Sequence, residues 1–404
     1  MRGFGSAFAA ALAIGLGVAA PFGTHAGPAQ ALATVAATRS TIPRGASAGG
    51  RIRHVFLIIL ENQSFGTTFR PDSAAPYLAH TLTSQGLLLT HYYAIGHNSL
   101  DNYIALVSGQ APNEETQGDC LRYSDFVPAQ PRIDAHGQAL GRGCVYPRSV
   151  SSLPDQLEAA GLTWKGYMED MGKDPARERR TCGHGPIGKF DSLQFATRTD
   201  QYASKHDPFV YFHAIIDDPA RCDAHVVPLD DLTRDLRTVR TTPNFVFITP
   251  NLCHDGHDGP CVDGEPGRLQ SSDEFLRRWV PIITGAAAFR EDGLLIVTFD
   301  ESSAFGKDMA LACCNEQPLP GTRFPPGLVG PGGGRIGAVA LSPFIEPGAT
   351  SDVPCNHYSL LATVETIFGL ARLGYAADRE LNLLPVLGRP GATAPPSAAR
   401  AASR

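Results

Sequence analysis

The feature that most constrains the fold of this chain is a short apolar run that ends abruptly in polar residues. The run extends from Val55 to Leu60, and Glu61 and Asn62 follow it directly. Its length and its β-branched residues predict a strand that is buried on both faces, as in a parallel sheet. Ligands in open α/β sheets bind beyond the carboxyl ends of the strands, so Glu61 and Asn62 could ligate a divalent cation there. The alternative is that both residues merely begin a surface loop.

Two later apolar runs show the same arrangement and favour the first interpretation. The segments 244–249 and 294–299 are predicted strands. The polar residues behind them include His257, Asp258, Asp300 and Glu301. Neighbouring carboxylates are costly to bring together unless they are protonated or neutralised by a cation. The pattern therefore predicts a bound divalent metal ion; we expect one ion rather than two, and its identity stays open.

The remaining periodicity predicts an α/β fold, with a mostly parallel central sheet flanked by helices on both faces. Further strands are expected at 87–93 and 335–341, and helices at 271–289 and 357–368. His357 begins the last of these helices. In such a fold the polar residues that follow the parallel strands lie at one edge of the sheet.

A serine is predicted to begin another helix. Ser99 is placed at the N-cap, with a helical apolar pattern immediately after it. Backbone N–H groups at a helix start favour anions, so Ser99 could attack a phosphate that the same helix cradles. The alternative is plain capping, which is what most serines at helix starts do. His97 and Asn102 flank Ser99 and are candidate substrate-binding residues.

Composition and the chain ends indicate an exported globular protein. The 404 residues are 43% hydrophobic and carry a net charge of −6 without a long basic run, so no nucleic acid is expected as a partner. Residues 1–26 are a predicted signal peptide, 27–50 a linker, 51–389 a catalytic domain and 390–404 a disordered tail. We therefore expect secretion and no stable membrane insertion, while the oligomeric state stays open.

The cysteine content agrees with export. Nine cysteines in such a chain predict disulfides, and the odd number leaves at least one cysteine unpaired or bonded elsewhere. Proximity along the chain suggests the pairs Cys120–Cys144 and Cys253–Cys261. The remaining connectivity cannot be deduced from the sequence.

Five motifs together make the chain resemble a known family. They are Glu61-Asn62-Gln63-Ser64-Phe65, His97-Asn98-Ser99 with Asn102-Tyr103, Pro250-Asn251 with His257-Asp258, Thr298-Phe299-Asp300-Glu301, and His357-Tyr358. In this order they resemble the phosphoesterase family of bacterial phospholipases C and secreted acid phosphatases, within the alkaline-phosphatase-like superfamily. The resemblance covers the chain from about Arg51 to Tyr375. It implies the three-layer sandwich of that superfamily.

The resemblance also implies roles for individual residues. Its implied metal ligands are Glu61, Asn62, Asp300 and Glu301. Ser99 is the implied nucleophile and itself a metal neighbour. The implied pocket residues, which could ligate a second metal, bind phosphate or protonate the leaving oxygen, are His257, Asp258 and His357. His254, close to His257, leaves the choice of ligand open.

These observations lead to one predicted function and two alternatives. The chain is predicted to be a secreted, metal-dependent acid phosphatase that hydrolyses phosphate monoesters through a phosphoserine intermediate. One alternative is a phospholipase C, which cleaves phosphodiesters and needs an apolar entry for acyl chains. The other is an exported cation-binding protein without turnover. The partner is accordingly a small-molecule phosphate ester or a phospholipid head group, and the natural substrate stays open.

Overall fold

The structure is a computed structural model that describes residues 51–314, 316, 327 and 330–387. The predicted signal peptide at 1–26, the linker at 27–50 and the tail at 390–404 lie outside the described residues. No helix within the described ranges combines the length and the apolar character needed to cross a membrane.

Short strands and helices alternate along much of the described chain. The strands are β1 His54–Leu60, β2 Leu87–Leu89, β3 Tyr92–Tyr93, β4 Arg122–Tyr123, β5 Val127–Ile133, β6 Ala139–Arg142, β7 Trp164–Met168, β8 Lys189–Phe190, β9 Val226–Pro228, β10 Phe245–Thr249, β11 Gly293–Phe299, β12 Ala338–Leu341, β13 Ala349–Ser351 and β14 Cys355–Asn356. The α-helices are α1 Phe65–Thr68, α2 Thr83–Gln85, α3 Ser99–Ser108, α4 Leu153–Ala159, α5 His213–Ile216, α6 Pro219–His225, α7 Leu232–Asp235, α8 Arg268–Gly285, α9 Ala287–Asp292 and α10 His357–Phe368.

Eight of the strands form one central sheet in the order β13-β2-β12-β11-β1-β10-β7-β9. β1 pairs in parallel with β10 and β11, and β7 and β9 extend the parallel part. β12 runs antiparallel to both of its neighbours. Every residue of β1 and β11 is buried, so both faces of the sheet are covered. The predicted α/β fold with a mostly parallel sheet is confirmed.

Two predicted elements are each divided in the structure. The segment 87–93 is two strands, because β2 belongs to the central sheet and β3 pairs with β14 instead. The segment 271–289 is two helices, because Ala286 adopts an extended conformation with φ −68° and ψ 147°. Alanine is a strong helix former, so tertiary packing overrides local propensity there.

The disulfide pattern contains both pairs suggested by proximity. Cys120 is bonded to Cys144 and Cys253 to Cys261. Two further disulfides join the pairs Cys182–Cys222 and Cys313–Cys314. Among the residues that the structure describes, Cys355 is the one unpaired cysteine, and it is buried. Several disulfides are typical of proteins from oxidising compartments.

Candidate active site

The carboxyl ends of three parallel strands meet at one edge of the sheet, as the sequence predicts. Leu60 of β1 is in register with Phe299 of β11, and β10 lies on the other side of β1. Glu61 and Asp300 follow β1 and β11 directly. The N–H of Glu61 donates to the carbonyl oxygen of Asp255, behind β10, at 2.7 Å. The three polar segments therefore converge.

Ser99 lies against Glu61 at this edge. Its Oγ donates to Oε2 of Glu61 at 3.1 Å, and Nδ2 of Asn62 donates to the same oxygen at 2.6 Å. The Ser99 side chain is nearly inaccessible and Glu61 is completely buried. The structure thus brings together a hydroxyl, a carboxylate and an amide that the sequence predicted as neighbours.

The predicted N-cap position of Ser99 is wrong by one residue. Ser99 is the first residue of α3, and Asn98 occupies the N-cap. Asn98 has φ 79° and ψ 148°, a conformation that is essentially restricted to glycine and costs about 1–3 kcal/mol. Asn62 also has a positive φ of 55°. Such strained residues concentrate at functional sites, and here they hold the chain on both sides of the Ser99–Glu61 contact.

The main chain of Asp300 is held by a buried histidine. Oδ1 of Asp300 accepts from the N–H groups of Asn62 at 3.0 Å and Glu301 at 2.5 Å. Nε2 of His357 donates to the Asp300 carbonyl oxygen at 2.6 Å, so Nδ1 accepts from the Tyr92 hydroxyl at 3.0 Å. Burial lowers the pKa of His357 to about 4. The ring is therefore neutral with both nitrogens engaged, and a direct catalytic role for His357 stays a prediction.

Glu301 shapes the loop that leads into α3. Its Oε1 accepts from the Asn98 N–H at 3.1 Å, and its Oε2 contacts Nδ1 of His97. Nε2 of His97 donates to the Met309 carbonyl oxygen at 3.2 Å. Burial raises the pKa of Glu301 well above its usual value and lowers the pKa of His97. The polar side-chain atoms of Glu301 and His97 already have protein partners. Metal ligation by Glu301 and substrate contact by His97 therefore stay predictions.

Asn102 supports the same loop from inside the helix. Its Oδ1 accepts from the N–H groups of Ile95 and Gly96 at 3.0 and 3.2 Å. Its Nδ2 donates to the carbonyl oxygens of Gly96 and Asn98 at 2.9 and 3.0 Å. The side chain is completely buried. These bonds position the residues before Ser99, whereas a substrate contact by Asn102 stays a prediction.

Replacing Asn102 by alanine is expected to lower the free energy of unfolding by about 3 kcal/mol, because each buried N–H that loses its partner costs about 1–3 kcal/mol. Urea unfolding measures the change. Asn382→Ala is the control, since that exposed side chain makes one hydrogen bond, to the Pro354 carbonyl oxygen at 2.9 Å. We expect the control to change stability by about 0.5 kcal/mol or less. Equal losses in both variants would contradict the supporting role.

The structure adds two residues to the site that the sequence analysis did not select. His206 and Asp255 are both buried. Nε2 of His206 lies 3.0 Å from Oε1 of Glu61, and Nδ1 lies 3.8 Å from Oδ2 of Asp255. Glu61, His206 and Asp255 each offer a ligand atom within 4.8 Å of the others. Asp255 is one of the polar residues that follow β10, so the sequence pattern could have indicated it as a site residue. His206 follows an irregular segment, and no sequence pattern marks it as a site residue.

The buried atoms of this centre fit a divalent cation. Those without a hydrogen-bond partner are Oε1 of Glu61, Oδ2 of Asp255, Oδ2 of Asp300 and both ring nitrogens of His206. Burial and the negative charge of Glu61 raise the pKa of Asp255 and Asp300 well above their usual values. Burial lowers the pKa of His206 to about 3, so its imidazole is neutral. Carboxylate oxygens and a neutral imidazole are ligands that divalent metals accept in proteins.

The other predicted residues behind β10 are more exposed. The side chains of His257 and Asp258 are about half exposed, and Nδ1 of His257 lies 3.4 Å from Oδ1 of Asp258. The N–H of His257 donates to Oδ1 of Asp255 at 2.9 Å, which places it beside the buried centre. The structure does not show either side chain in contact with Ser99.

His254 is separated from the centre by its own partners. Its ring lies between Glu169 and Glu265, at 2.9 and 3.2 Å. Burial lowers the pKa of His254, but the bonds to these carboxylates outweigh that effect and raise it to about 9. The ring is therefore a cation without a lone pair for a metal. It lines a cavity of about 520 Å³ that does not include Ser99.

Comparison with known proteins assigns the chain to a family. A model of the Phosphoesterase family matches residues 67–371, which is most of the chain. The chain belongs to the Phosphoesterase family, and the resemblance based on its motifs is confirmed.

The individual relatives share about a quarter of their residues with this chain. A probable acid phosphatase of Kluyveromyces lactis is 25% identical over 343 residues, 84% of this chain and 63% of the relative. A phosphatidylinositol-3-phosphatase of Mycobacterium tuberculosis is 24% identical over 333 residues, 82% of each chain. The chain spans about three fifths of the length of the first three relatives it matches. A solved structure of an alkaline phosphatase superfamily protein from Vibrio parahaemolyticus has a TM-score of 0.44 at 14% identity, covering 80% of this chain and 68% of that one.

Proposed function

We propose that this protein is an exported, metal-dependent phosphatase that hydrolyses phosphate monoesters through a phosphoserine intermediate on Ser99. One observation carries the proposal: the Ser99 hydroxyl lies 3.1 Å from Glu61, whose other carboxylate oxygen is buried 3.0 Å from Nε2 of His206 and makes no hydrogen bond. A serine beside unneutralised metal donors can become a nucleophile when the ion is bound. Membership of the Phosphoesterase family and relatives named as phosphatases support the monoester reaction.

The metal ion is proposed to be held by three residues predicted from the sequence and two added by the structure. Glu61, His206 and Asp255 offer ligand atoms within 4.8 Å of one another, Oδ2 of Asp300 is buried without a partner, and Asn62 is included on the basis of its motif. When bound, the ion would favour the deprotonated Ser99 hydroxyl and stabilise negative charge on phosphate oxygens.

Ser99 is proposed to form the bond to phosphorus while the alcohol oxygen of the substrate leaves. Its place at the start of the ten-residue helix α3 favours a bound phosphate through the helix dipole. A water molecule then releases phosphate from the serine and restores the hydroxyl. Asn102 and Glu301 contribute by fixing the loop before Ser99.

The proton for the leaving oxygen is proposed to come from His257 rather than His357. Both nitrogens of His357 are engaged, so this ring positions Asp300 instead. The N–H of His257 donates to Oδ1 of Asp255, which places His257 beside the centre, and Asp258 can orient its ring. Histidine is the side chain that most often acts as a general acid in enzymes.

A comparison of products tests the reaction type. We expect release of inorganic phosphate from p-nitrophenyl phosphate, loss of that activity with a chelator, and its return on adding a divalent metal. Release of diacylglycerol from phosphatidylcholine, without phosphate release from the monoester, would instead support a phospholipase C. Metal binding without release of either product would leave a cation-binding protein.

The two histidines beside Asp255 separate metal binding from proton transfer. His206→Gln is expected to weaken metal binding by about 100-fold or more, since the ring is a proposed ligand and loss of a residue that only orients a ligand already costs about 10- to 100-fold. His257→Gln is expected to keep the metal and to lower kcat by about 10²- to 10⁴-fold, as loss of a general acid does. Metal titration and steady-state kinetics measure both effects. If His257→Gln lost the metal while His206→Gln kept it, the roles of the two histidines would be the reverse of those proposed.

A further inference from the structure

An aromatic pair stands exposed on the small sheet formed by β4 and β8. Arg122 is paired in register with Phe190, so their side chains project from the same face. Phe190 is 63% exposed and Phe195 51%, and their rings stack with centroids 5.9 Å apart. Leu121, beside Arg122, is 48% exposed. Neighbouring large apolar side chains left in water mark an interaction surface.

Two exposed cationic side chains accompany this pair without acidic partners. Arg122 is opposite Phe190 in the register and Arg198 is three residues after Phe195, and within the described part of the chain neither has a carboxylate within 4.0 Å. The one acidic residue between 186 and 199 is Asp191, which is buried. On a chain with a net charge of −6, this cationic surface is local. The Phe190 face is defined as Leu121, Arg122, Phe190, Phe195 and Arg198, whereas Lys189 is paired with the buried Tyr123 and projects from the other side of β8.

The segment that carries Phe195 is held rigidly. The guanidinium group of Arg177 donates to the carbonyl oxygens of Leu193 at 3.1 Å, Phe195 at 2.7 Å and Tyr202 at 3.0 Å. Arg177 also pairs with the buried Asp200 at 2.7 Å. The aromatic pair is therefore presented in a fixed position, which lowers the entropic cost of docking.

The Phe190 face is also connected to the candidate active site. Asp119, two residues before Leu121, accepts from the Leu100 N–H in the first turn of α3 at 3.0 Å. The same side chain pairs with Lys205, the neighbour of His206, at 3.1 Å. The face therefore begins beside the helix that carries Ser99.

We propose that the Phe190 face docks the protein peripherally onto an anionic lipid surface. Aromatic side chains enter the interfacial region of a bilayer, and unpaired Lys and Arg side chains attract anionic head groups. An anionic bilayer complements the apolar and the cationic parts of the face together. That this docking presents lipid-borne phosphate esters to Ser99 rests on the proposed function, whereas the docking itself does not.

Vesicle sedimentation tests the docking without requiring catalysis. The wild-type protein is expected to sediment with vesicles of phosphatidylcholine and phosphatidylglycerol, and much less with phosphatidylcholine alone. Arg122→Gln with Arg198→Gln is expected to weaken this partitioning by about fivefold per charge removed. Phe190→Ser with Phe195→Ser is expected to weaken it further, because the inserted aromatic area is lost.

Matched variants elsewhere on the surface control for general effects of charge and hydrophobicity. Val127→Ser with Ile133→Ser removes two side chains that are 68% and 60% exposed on the hairpin of β5 and β6. Arg237→Gln with Arg240→Gln removes two exposed cations. Both controls are expected to sediment like the wild type. Absence of wild-type sedimentation, or equal loss in the controls, overturns the proposal.

Two further measurements separate lipid docking from a protein interface and from catalysis. If Phe190→Ser with Phe195→Ser dissociates an oligomer and leaves sedimentation unchanged, the face is a protein interface and the proposal is overturned. Hydrolysis of soluble p-nitrophenyl phosphate is expected to stay at the wild-type rate in the face variants. A wild-type protein that sediments but releases no phosphate refutes the proposed function and supports the docking surface.

Discussion

Ser99→Ala is expected to abolish phosphate release from p-nitrophenyl phosphate in protein that remains folded. If Ser99 forms the bond to phosphorus, its loss removes the first chemical step, and the rate should fall by about 10⁴-fold or more, as when other serine nucleophiles are removed. Stability should change little, because the hydroxyl makes one hydrogen bond, to Glu61, and does not cap α3. Steady-state kinetics measures the first effect and urea unfolding the second.

Ser108→Ala provides a matched control at the other end of the same helix. Ser108 is also buried, and its Oγ donates to the Ile104 carbonyl oxygen at 2.7 Å. We expect this variant to lose about 1 kcal/mol of stability and to retain its activity. Rapid acid quenching of the wild-type enzyme with substrate is expected to yield a peptide phosphorylated at Ser99. Near-normal turnover in Ser99→Ala would show that the serine is not the nucleophile.

Asp300→Asn is expected to remove both the bound metal and the activity. The substitution preserves shape but neutralises a carboxylate whose Oδ2 is buried without a partner. Glu61→Gln should act in the same way, because Glu61 contacts Ser99 and His206 and its negative charge acts on Asp300. Elemental analysis after dialysis measures metal content. Full occupancy and full turnover in either variant would refute the metal assignment.

Stability provides a second measurement that is independent of turnover. A metal that binds only the folded state stabilises it by about 2.7 kcal/mol at a concentration of a hundred times Kd, and this increment should vanish in Asp300→Asn. In chelator the same variant should be more stable than the wild type, because it removes one of the mutually repelling buried carboxylates. Asp292→Asn is the control: this carboxylate lies at the opposite end of β11 and pairs with His54 at 2.5 Å. It is expected to retain the metal-dependent stabilisation.

The parts of the fold that the sequence predicted correctly depend on local patterns. The runs of apolar residues that form β1, β10 and β11 are uninterrupted in the sequence. Strands that are apolar on both faces are typical of parallel sheets, so their parallel pairing could be predicted. The convergence of Glu61 and Asp300 then follows from strand direction alone. Local patterns failed at Ala286, where one residue changes the backbone direction within an apparently continuous helix.

The sequence by itself determined the sheet edge, the nucleophile candidate and the acidic residues around it, because strand ends and motif order are properties of short segments. Only the tertiary structure decided which atoms meet. Ser99 and Glu61 are 38 positions apart, and His206 reaches Glu61 from a segment without periodicity. The tertiary structure also places both ring nitrogens of His357 in hydrogen bonds and leaves the Phe190 face exposed. Contacts between distant segments depend on how the chain packs around the sheet, which periodicity and local propensity do not encode.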